Sequence, residues 1–304
     1  RPSFKRTMYA CFVGYIVQAI VNNFVPLLFV TFQKSYQIPL SKITLLITIN
    51  FMIQLLIDLL SAGFVDKIGY KASVTIAHIC SAIGLFALTI LPEVTEDPFT
   101  GILIAVAIYA IGGGLLEVLI SPIIEACPTD NKEKAMSLLH SFYCWGSVGV
   151  ILLSTIFFAV FGIENWHILA CIWALIPLYN TFNFLSCPIE SLTEEGQGLG
   201  IRQLCRIPIF WITLVLMVCA GASEISMAQW ASAYVESALG ISKSIGDVAG
   251  PCLFAIMMGI SRSFYGKYGE KMDLMKFMIA SGALCLVCYL LSALAPLPAL
   301  NLLG

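Results

Sequence analysis

Residues 62–71 read Ala62-Gly63-Phe64-Val65-Asp66-Lys67-Ile68-Gly69-Tyr70-Lys71, a short polar break between two apolar stretches. The stretches on either side, Ile43–Phe64 and Ala72–Leu91, are each apolar over about 20 residues, the length at which a helix crosses the hydrocarbon of a bilayer. A connector that carries Asp, two Lys and Gly favours a tight turn in water. The two stretches are therefore predicted to form a helical hairpin whose turn lies on one side of a membrane.

The same pattern extends along the whole chain, and the composition excludes a soluble fold. Hydrophobic residues make up 59% of the 304 residues and charged residues only 11%, whereas a soluble domain has about 25% charged residues. We predict an all-α integral membrane protein with about nine and a half spans. The predicted spans 1 to 9 are Thr7–Gln33, Ile43–Phe64, Ala72–Leu91, Thr100–Ala126, Ala135–Phe161, Asn165–Ser186, Pro208–Ser237, Asp247–Gly266 and Asp273–Leu294, and a tenth begins near Pro298.

Basic residues are distributed unevenly among the loops that these spans create. If the spans alternate in direction, thirteen Lys and Arg lie on the side of the N-terminus and only Lys34, Lys42 and Lys243 lie on the other side. Loops rich in Lys and Arg stay in the cytoplasm. We therefore predict a multi-pass protein of the cytoplasmic (inner) membrane whose N-terminus is cytoplasmic. The first apolar run is too long for a cleavable signal peptide.

A polar, glycine-rich segment divides the chain into two parts. Residues 188–207 are predicted to form a cytoplasmic linker between a six-helix bundle at 1–187 and a partial second bundle at 208–304. The end of predicted span 8, Gly259–Lys271, occupies the place in the second part that Gly63–Lys71 holds in the first. Two like-oriented halves related by an axis along the membrane normal are typical of one class of transporters. On that plan the sequence lacks most of span 10 and all of spans 11 and 12.

Glu117 and Glu224 stand well inside predicted spans, where charged groups are rare and usually line a water-filled path. Glu117 lies on one stripe of span 4 with Gly113, Ser121 and Glu125, because these residues follow each other every four positions. Glu224 lies in span 7. We predict a functional role for Glu117 and Glu224. The alternative for Glu117 is a structural hydrogen bond to a neighbouring helix.

Amide and aromatic side chains are concentrated in predicted spans 1, 2, 5 and 7. In span 2, Asn50, Gln54 and Asp58 form one polar stripe that faces either a central cavity or the other bundle, so a structural role stays open for Asp58. For His140 in span 5 the alternative role is helix packing, and for Trp230 in span 7 it is an anchor at the membrane interface. The residues that we predict to bind a polar solute are Asn22, Asn23, Asn50, Gln54, His140, Tyr143, Gln229 and Trp230.

Several of these stretches resemble known families. The turn at 62–71 resembles the loop between helices 2 and 3 of the major facilitator superfamily. Gly112–Pro122 is similar to the helix-4 signature of the fucose permease family of sugar–proton symporters, and Leu139–Gly146 is similar to the start of that family's helix 5. Gly221–Trp230 is similar to its helix-7 stretch, and Arg262–Gly266 is similar to the end of its helix 8.

The resemblance implies a two-bundle fold of 6+6 helices, a sugar as substrate and Glu117 as an acid that takes up and releases a proton. Fucose carriers of that family also use an aspartate in helix 1, where this sequence has Asn22 and Asn23. Our hypothesis is that Glu224 takes the role of this second acid. The two loops that follow spans 2 and 8 are predicted to lock the outward-open form from the cytoplasm. The residues assigned to this lock are Asp66, Lys67, Gly69, Lys71, Arg262 and Gly266.

The sequence as a whole predicts a secondary active transporter that moves a small polar solute, with a sugar as the favoured class, by proton-coupled alternating access. Two alternatives stay open: a drug/proton efflux antiporter on the same fold, and a non-transporting membrane sensor. An enzyme is not predicted, because the three His fall in three different spans and no compact nucleophile, metal or phosphate pattern is present. We expect a monomer in the lipid bilayer with no cofactor, no metal site and no nucleic-acid partner. H⁺ is the expected coupling ion, and Na⁺ stays open.

Overall fold

A computed structural model describes residues 4–128, 132–189, 201–268, 272–297 and 300–301. Within these ranges every regular element is a helix, and nine helical segments are long and apolar enough to cross a membrane. The predicted fold class, an all-α membrane protein, is confirmed. We keep the names spans 1 to 9 for these segments. Spans 1–6 are called the first half and spans 7–9 the second half.

The bounds of the spans follow from the helices. Span 1 consists of Lys5–Asn23, a 3-10 turn at Val25–Leu28 and Phe29–Ser35, and span 6 consists of a 3-10 turn at Ile163–Asn165 and Trp166–Ser186. Span 8 consists of Lys243–Asp247, a π-helical turn at Val248–Cys252 and Leu253–Tyr268. The remaining spans are single helices: Leu40–Ile68, Tyr70–Val94, Pro98–Ala126, Lys132–Phe161, Pro208–Ser237 and Leu274–Leu294.

The predicted hairpin at 62–71 is present, but its turn is shorter than expected. Span 2 continues to Ile68 and span 3 begins at Tyr70, so that Gly69 alone connects them. Gly69 has φ +88°, a left-handed conformation that favours glycine. The predicted connector between the two apolar stretches was too long, because both helices extend beyond those stretches, where water can hydrate their polar side chains. Of the linker predicted at 188–207, residues 190–200 lie outside the described ranges, and Ile201–Leu204 is a short helix.

Spans 1 and 8 are not the continuous helices that their hydropathy predicts. Span 1 changes to a 3-10 turn that contains Pro26, and span 8 widens to a π-turn that contains Pro251. Proline lacks a backbone N–H, so it cannot complete the hydrogen bond of a regular helix at its own position. Each break therefore contains a proline and falls within a segment of membrane-spanning length.

Span 1 lies at the centre of the molecule. Its most apolar window is 89% buried, whereas the corresponding windows of spans 7 and 9 contain no buried residues. Span 4 packs tightly against its neighbours through three consecutive glycines. A Cβ on Gly114 would lie 3.0 Å from the Gln54 backbone of span 2, and a Cβ on Gly112 would overlap Ser81 of span 3. The glycines thus let span 4 approach spans 2 and 3 and place Glu117, three residues further on, beside the interior.

The two ends of the bundle differ in charge, because the loops at one end carry most of the Lys and Arg residues. The end that carries Lys5, Arg6, Lys67, Lys71 and Lys267 is called the basic end, and the end that carries the 93–97 acidic loop is called the opposite end. The halves meet mainly where span 5 packs on span 8 and where the end of span 1 packs on span 7. The candidate functional site lies between these contacts and the basic end.

Candidate functional site

Five of the predicted solute-binding residues form one hydrogen-bonded group, here called the amide network. The Gln54 amide nitrogen donates to Asn50 Oδ1 at 3.2 Å and to Asn22 Oδ1 at 3.3 Å. The Asn22 amide nitrogen in turn donates to the Tyr143 hydroxyl at 3.4 Å. These bonds join spans 1, 2 and 5. The stripe on span 2 therefore faces the interior of the bundle, one of the two orientations that its spacing allowed.

Gln229 connects the second half to this network. Its amide nitrogen donates to the backbone carbonyl of Asn22 at 2.9 Å. That carbonyl lies four residues before Pro26, which has no N–H with which to bond it. The proline in span 1 thus leaves an acceptor that a side chain from span 7 uses, and Asn22 contacts both halves.

Between the amide network and the basic end lies the charged cluster, formed by Glu117, Glu224 and Arg262. Arg262 Nη2 of span 8 lies 3.6 Å from Glu224 Oε1 of span 7. The two side chains are 35% and 39% exposed, so the described residues cover this ion pair only in part. Glu117 of span 4 is exposed and within electrostatic range of Glu224. Among the described residues, Glu117 has no hydrogen bond and no ion pair.

Two tyrosines of the first half connect the network with the cluster. Tyr143 is within electrostatic range of all three charged residues, while its hydroxyl accepts from Asn22. The Tyr15 hydroxyl shares a hydrogen bond of 2.7 Å with Ser121, which lies one turn from Glu117 on span 4. Donors and acceptors of neutral side chains therefore stand next to a carboxylate that has no cationic partner among the described residues. Such an arrangement can bind hydroxyl groups and exchange a proton in the same space.

Three predicted residues lie apart from the amide network. Asn23 donates to Ser147 at 3.1 Å and to the carbonyl of Ala19, so it joins spans 1 and 5. His140 is exposed and packs its ring against Tyr15, with 5.6 Å between ring centroids, on the side of the charged cluster. Trp230 packs against Phe29, with 5.8 Å between centroids, in the hydrophobic core near the opposite end.

The predicted lock residues fall into separate places. Lys71 donates to the carbonyl of Cys187 at 3.2 Å, which ties span 3 to the end of span 6 within the first half. Lys67 is exposed, and the side chain of Asp66 lies outside the described part of the chain. Gly266 lies within span 8 and not in a loop, and its surroundings are likewise not described.

Arg262 was assigned to the predicted lock and also falls within the predicted span 8, Asp247–Gly266. It lies inside the helix Leu253–Tyr268 and its guanidinium faces Glu224. The helix continues to Tyr268, two residues past the predicted end of span 8 at Gly266. The structure therefore adds Arg262 to the charged cluster.

Sequence reasoning did not select Tyr15, although a signal for it exists. Tyr15, Gln18 and Asn22 are spaced at i, i+3 and i+7, which puts them on one face of span 1. The sequence left the role of Asp58 open. Its Oδ1 is buried without a hydrogen-bond partner among the described residues, and it is within electrostatic range of Glu117.

The interior is narrow on the side of the opposite end. The cavity that touches Asn22, Asn50 and Gln229 has a volume of about 10 Å³, room for about one water molecule. Among the residues that the structure describes, no three His, Cys, Asp or Glu side chains are placed to hold a metal ion.

Comparisons with known proteins agree with this architecture. Residues 10–304 match the sequence model of the Major Facilitator Superfamily. The fold is similar to a crystal structure of D-xylose-proton symporter, with a TM-score of 0.73 and 14% identity over 99% of this chain and 77% of that chain. It is also similar to the inward open conformation of the xylose transporter XylE from E. coli, with a TM-score of 0.59 and 13% identity over 89% of this chain and 69% of that chain. No sequence among curated proteins matches the chain significantly.

Proposed function

Because the chain belongs to the Major Facilitator Superfamily, and is therefore a multi-pass membrane transporter and not an enzyme, we propose that it is a secondary active transporter for a small polar solute, with a sugar as the favoured class. The observation that carries this proposal is the amide network. Asn22, Asn50, Gln54, Gln229 and Tyr143 present neutral donors and acceptors at the centre of the bundle. The likeness in fold to a D-xylose-proton symporter supports the same class of solute.

The proposed coupling acid is Glu117. Glu224 already has a cationic partner in Arg262, whereas Glu117 is exposed and has none among the described residues. An exposed carboxylate next to the solute site can exchange its proton with the water that fills the cavity. We assign the coupling proton to Glu117 and give Glu224 the supporting role of holding Arg262 away from it.

The basic end is proposed to be the cytoplasmic one, because loops rich in Lys and Arg remain in the cytoplasm. At the opposite end the halves are joined, for example by the ion pair of Lys34 with Glu236 at 3.5 Å. At the charged cluster the described residues of the two halves leave the side chains partly exposed. Under this orientation the structure corresponds to an inward-facing state, and transport requires a second state that opens the opposite end.

The experiment that tests the proposal is gradient-driven uptake into proteoliposomes. Labelled pentoses and hexoses are offered under an inward proton gradient to the unmodified protein and to Glu117→Gln. We expect accumulation to fall to the level of liposomes without protein, while counterflow exchange of the same sugar survives, because exchange needs no net proton movement. The matched control is Glu125→Gln, an exposed acid two turns away on span 4, which is expected to accumulate sugar normally.

Normal accumulation by Glu117→Gln contradicts the assignment of the coupling acid, and the absence of transport for every sugar contradicts the substrate class. Loss of accumulation together with loss of exchange assigns Glu117 to solute binding and not to coupling.

A second candidate is a drug/proton efflux antiporter, which one further cavity favours. This cavity has a volume of about 520 Å³ and lies between spans 7, 8 and 9. Its wall includes Trp230, Tyr234, Phe254 and Met257, side chains that suit an apolar or aromatic compound. Inhibition of sugar uptake by apolar cations, with proton-driven export of those cations, would favour this candidate over sugar import.

A further inference from the structure

A buried ion pair lies near the opposite end, outside the amide network and the charged cluster. Lys243 Nζ is 3.2 Å from Asp247 Oδ2, and the Asp247 side chain is 1% exposed. Both residues lie at the start of span 8, one helical turn apart. A buried charge is costly unless it is paired and hydrogen-bonded, so such a pair needs further partners.

The first half supplies several of these partners. Lys243 donates to the backbone carbonyl of Leu27 in span 1 at 2.6 Å, and its ammonium lies 5.9 Å from the centre of the Phe158 ring in span 5. Thr155 of span 5 donates to Asp247 Oδ2 at 3.3 Å. Ser232 of span 7 donates to Asp247 Oδ1. The pair thus connects spans 1, 5, 7 and 8.

The contact with span 1 is made at its proline break. Leu27 belongs to the 3-10 turn that contains Pro26, and the carbonyl of Asn22, four residues before Pro26, accepts from Gln229 of span 7. The second half therefore attaches to the backbone of span 1 on both sides of this proline. One of the two attachments also involves Asn22, whose side chain belongs to the amide network.

We propose that Lys243 and Asp247 form a latch that holds the two halves together at the opposite end and must release its first-half partners before that end opens. The physical reason lies in their spacing. Both charges are on span 8, so they stay paired when the halves separate, and the bonds to Leu27 and Thr155 and the contact with the Phe158 ring are lost. Water can replace those partners, so opening does not strand a single charge. The latch is therefore reversible, and each residue positions the halves without contacting the solute.

Removal of either charge is expected to favour the open state. Asp247→Asn leaves the ammonium of Lys243 without its counter-charge in a buried place, and Lys243→Met does the same to the carboxylate of Asp247. Both uncompensated charges are better hydrated when the halves separate. In the double variant neither charge remains, so its effect should be smaller than the sum of the two single effects.

The native thiol of Cys252 can report the opening without an engineered cysteine. It is 2% exposed and belongs to the core cluster that contains residues of both halves, and the π-turn that carries it packs on span 5. The test measures the rate at which N-ethylmaleimide alkylates Cys252 in purified full-length protein, by mass spectrometry. We expect either single variant to raise this rate about tenfold, since loss of one partner of a buried pair shifts an equilibrium at least that far.

Two controls separate opening of the latch from unfolding and from a general charge effect. Cys11 is fully buried in span 1 and should remain unreactive in every variant, whereas unfolding would expose both thiols. Lys42→Met removes an exposed ion pair with Asp97, within the first half and at the same end, and should leave Cys252 protected.

An unchanged rate for Cys252 in both single variants would overturn the proposal, and so would a double variant whose effect equals the sum. Equal gains at Cys252 and Cys11 would show loss of fold and would likewise contradict a latch. The inference rests on the separation of the halves that transport requires, and not on the identity of the solute. Because the readout needs no solute, it can fail while the sugar assignment holds, and the reverse is equally possible.

Discussion

At the scale of single residues, Gln54 is the side chain on which the amide network depends most. It is 3% exposed and donates to both Asn22 and Asn50, which lie on different spans. Its backbone also contacts the glycine triplet of span 4. Gln54 therefore has a fixed position, and its amide orients Asn22 towards Tyr143.

We expect Gln54→Leu to raise the KM for the transported solute about tenfold, because the acceptors of Asn22 and Asn50 lose their donor and buried polar groups without partners are costly. KM and kcat are measured by uptake into proteoliposomes. The matched control is Asn180→Leu, another buried amide of the first half, which contacts the Ala10 carbonyl and His78 away from the amide network. A KM that is unchanged in Gln54→Leu, or equally raised in Asn180→Leu, would remove the amide network from the solute site.

At the scale of elements, the two proline breaks explain how spans 1 and 8 can be apolar enough to cross a membrane and still make polar contacts between the halves. A continuous helix bonds its own backbone carbonyls and offers few of them to a neighbour. The break at Pro26 leaves the carbonyl of Asn22 to Gln229, and the carbonyl of Leu27 accepts from Lys243. The break at Pro251 follows directly after Asp247 in span 8. Both breaks thus lie at the contacts between the halves.

Pro26→Ala should loosen these contacts. The alanine supplies an N–H that can bond the Asn22 carbonyl within a regular helix, and this bond competes with Gln229. We expect faster alkylation of Cys252 by N-ethylmaleimide than in the unmodified protein, with Cys11 still protected. Pro177→Ala in span 6, a proline inside a helix of the first half, is the matched control and should leave Cys252 protected. Identical rates in Pro26→Ala and the unmodified protein would show that the break does not hold the halves together.

At the scale of the whole molecule, the distribution of charge leads to a direct test of orientation. Cys205 is exposed and lies just before span 7, at the basic end. If that end is cytoplasmic, a membrane-impermeant maleimide should label Cys205 in inside-out vesicles and leave it unlabelled in right-side-out vesicles. Ser244→Cys places a thiol at an exposed position of the opposite end and should show the reverse pattern. Labelling of Cys205 in right-side-out vesicles would invert the proposed topology.

Much of this architecture was predictable from the sequence, and the reason is physical. Within a bilayer the backbone must satisfy its own hydrogen bonds, so a long apolar stretch has few choices besides a helix. The nine spans and the hairpin at Gly69 follow from such local properties. The stripe of Asn50 and Gln54 was likewise evident, because spacing along a helix determines which residues share a face.

Only the tertiary structure decided which helix faces contact each other. Asn22 and Asn23 are neighbours in sequence, yet one contacts Gln54 and Tyr143 and the other contacts Ser147. Arg262 pairs with Glu224, and Lys243 reaches Leu27, over separations of 38 and 216 residues that no local pattern encodes. Sequence determines each helix because the helix is held by bonds within it. The partners of a polar side chain depend on how the helices cross and how the two halves dock, which packing across the whole chain decides.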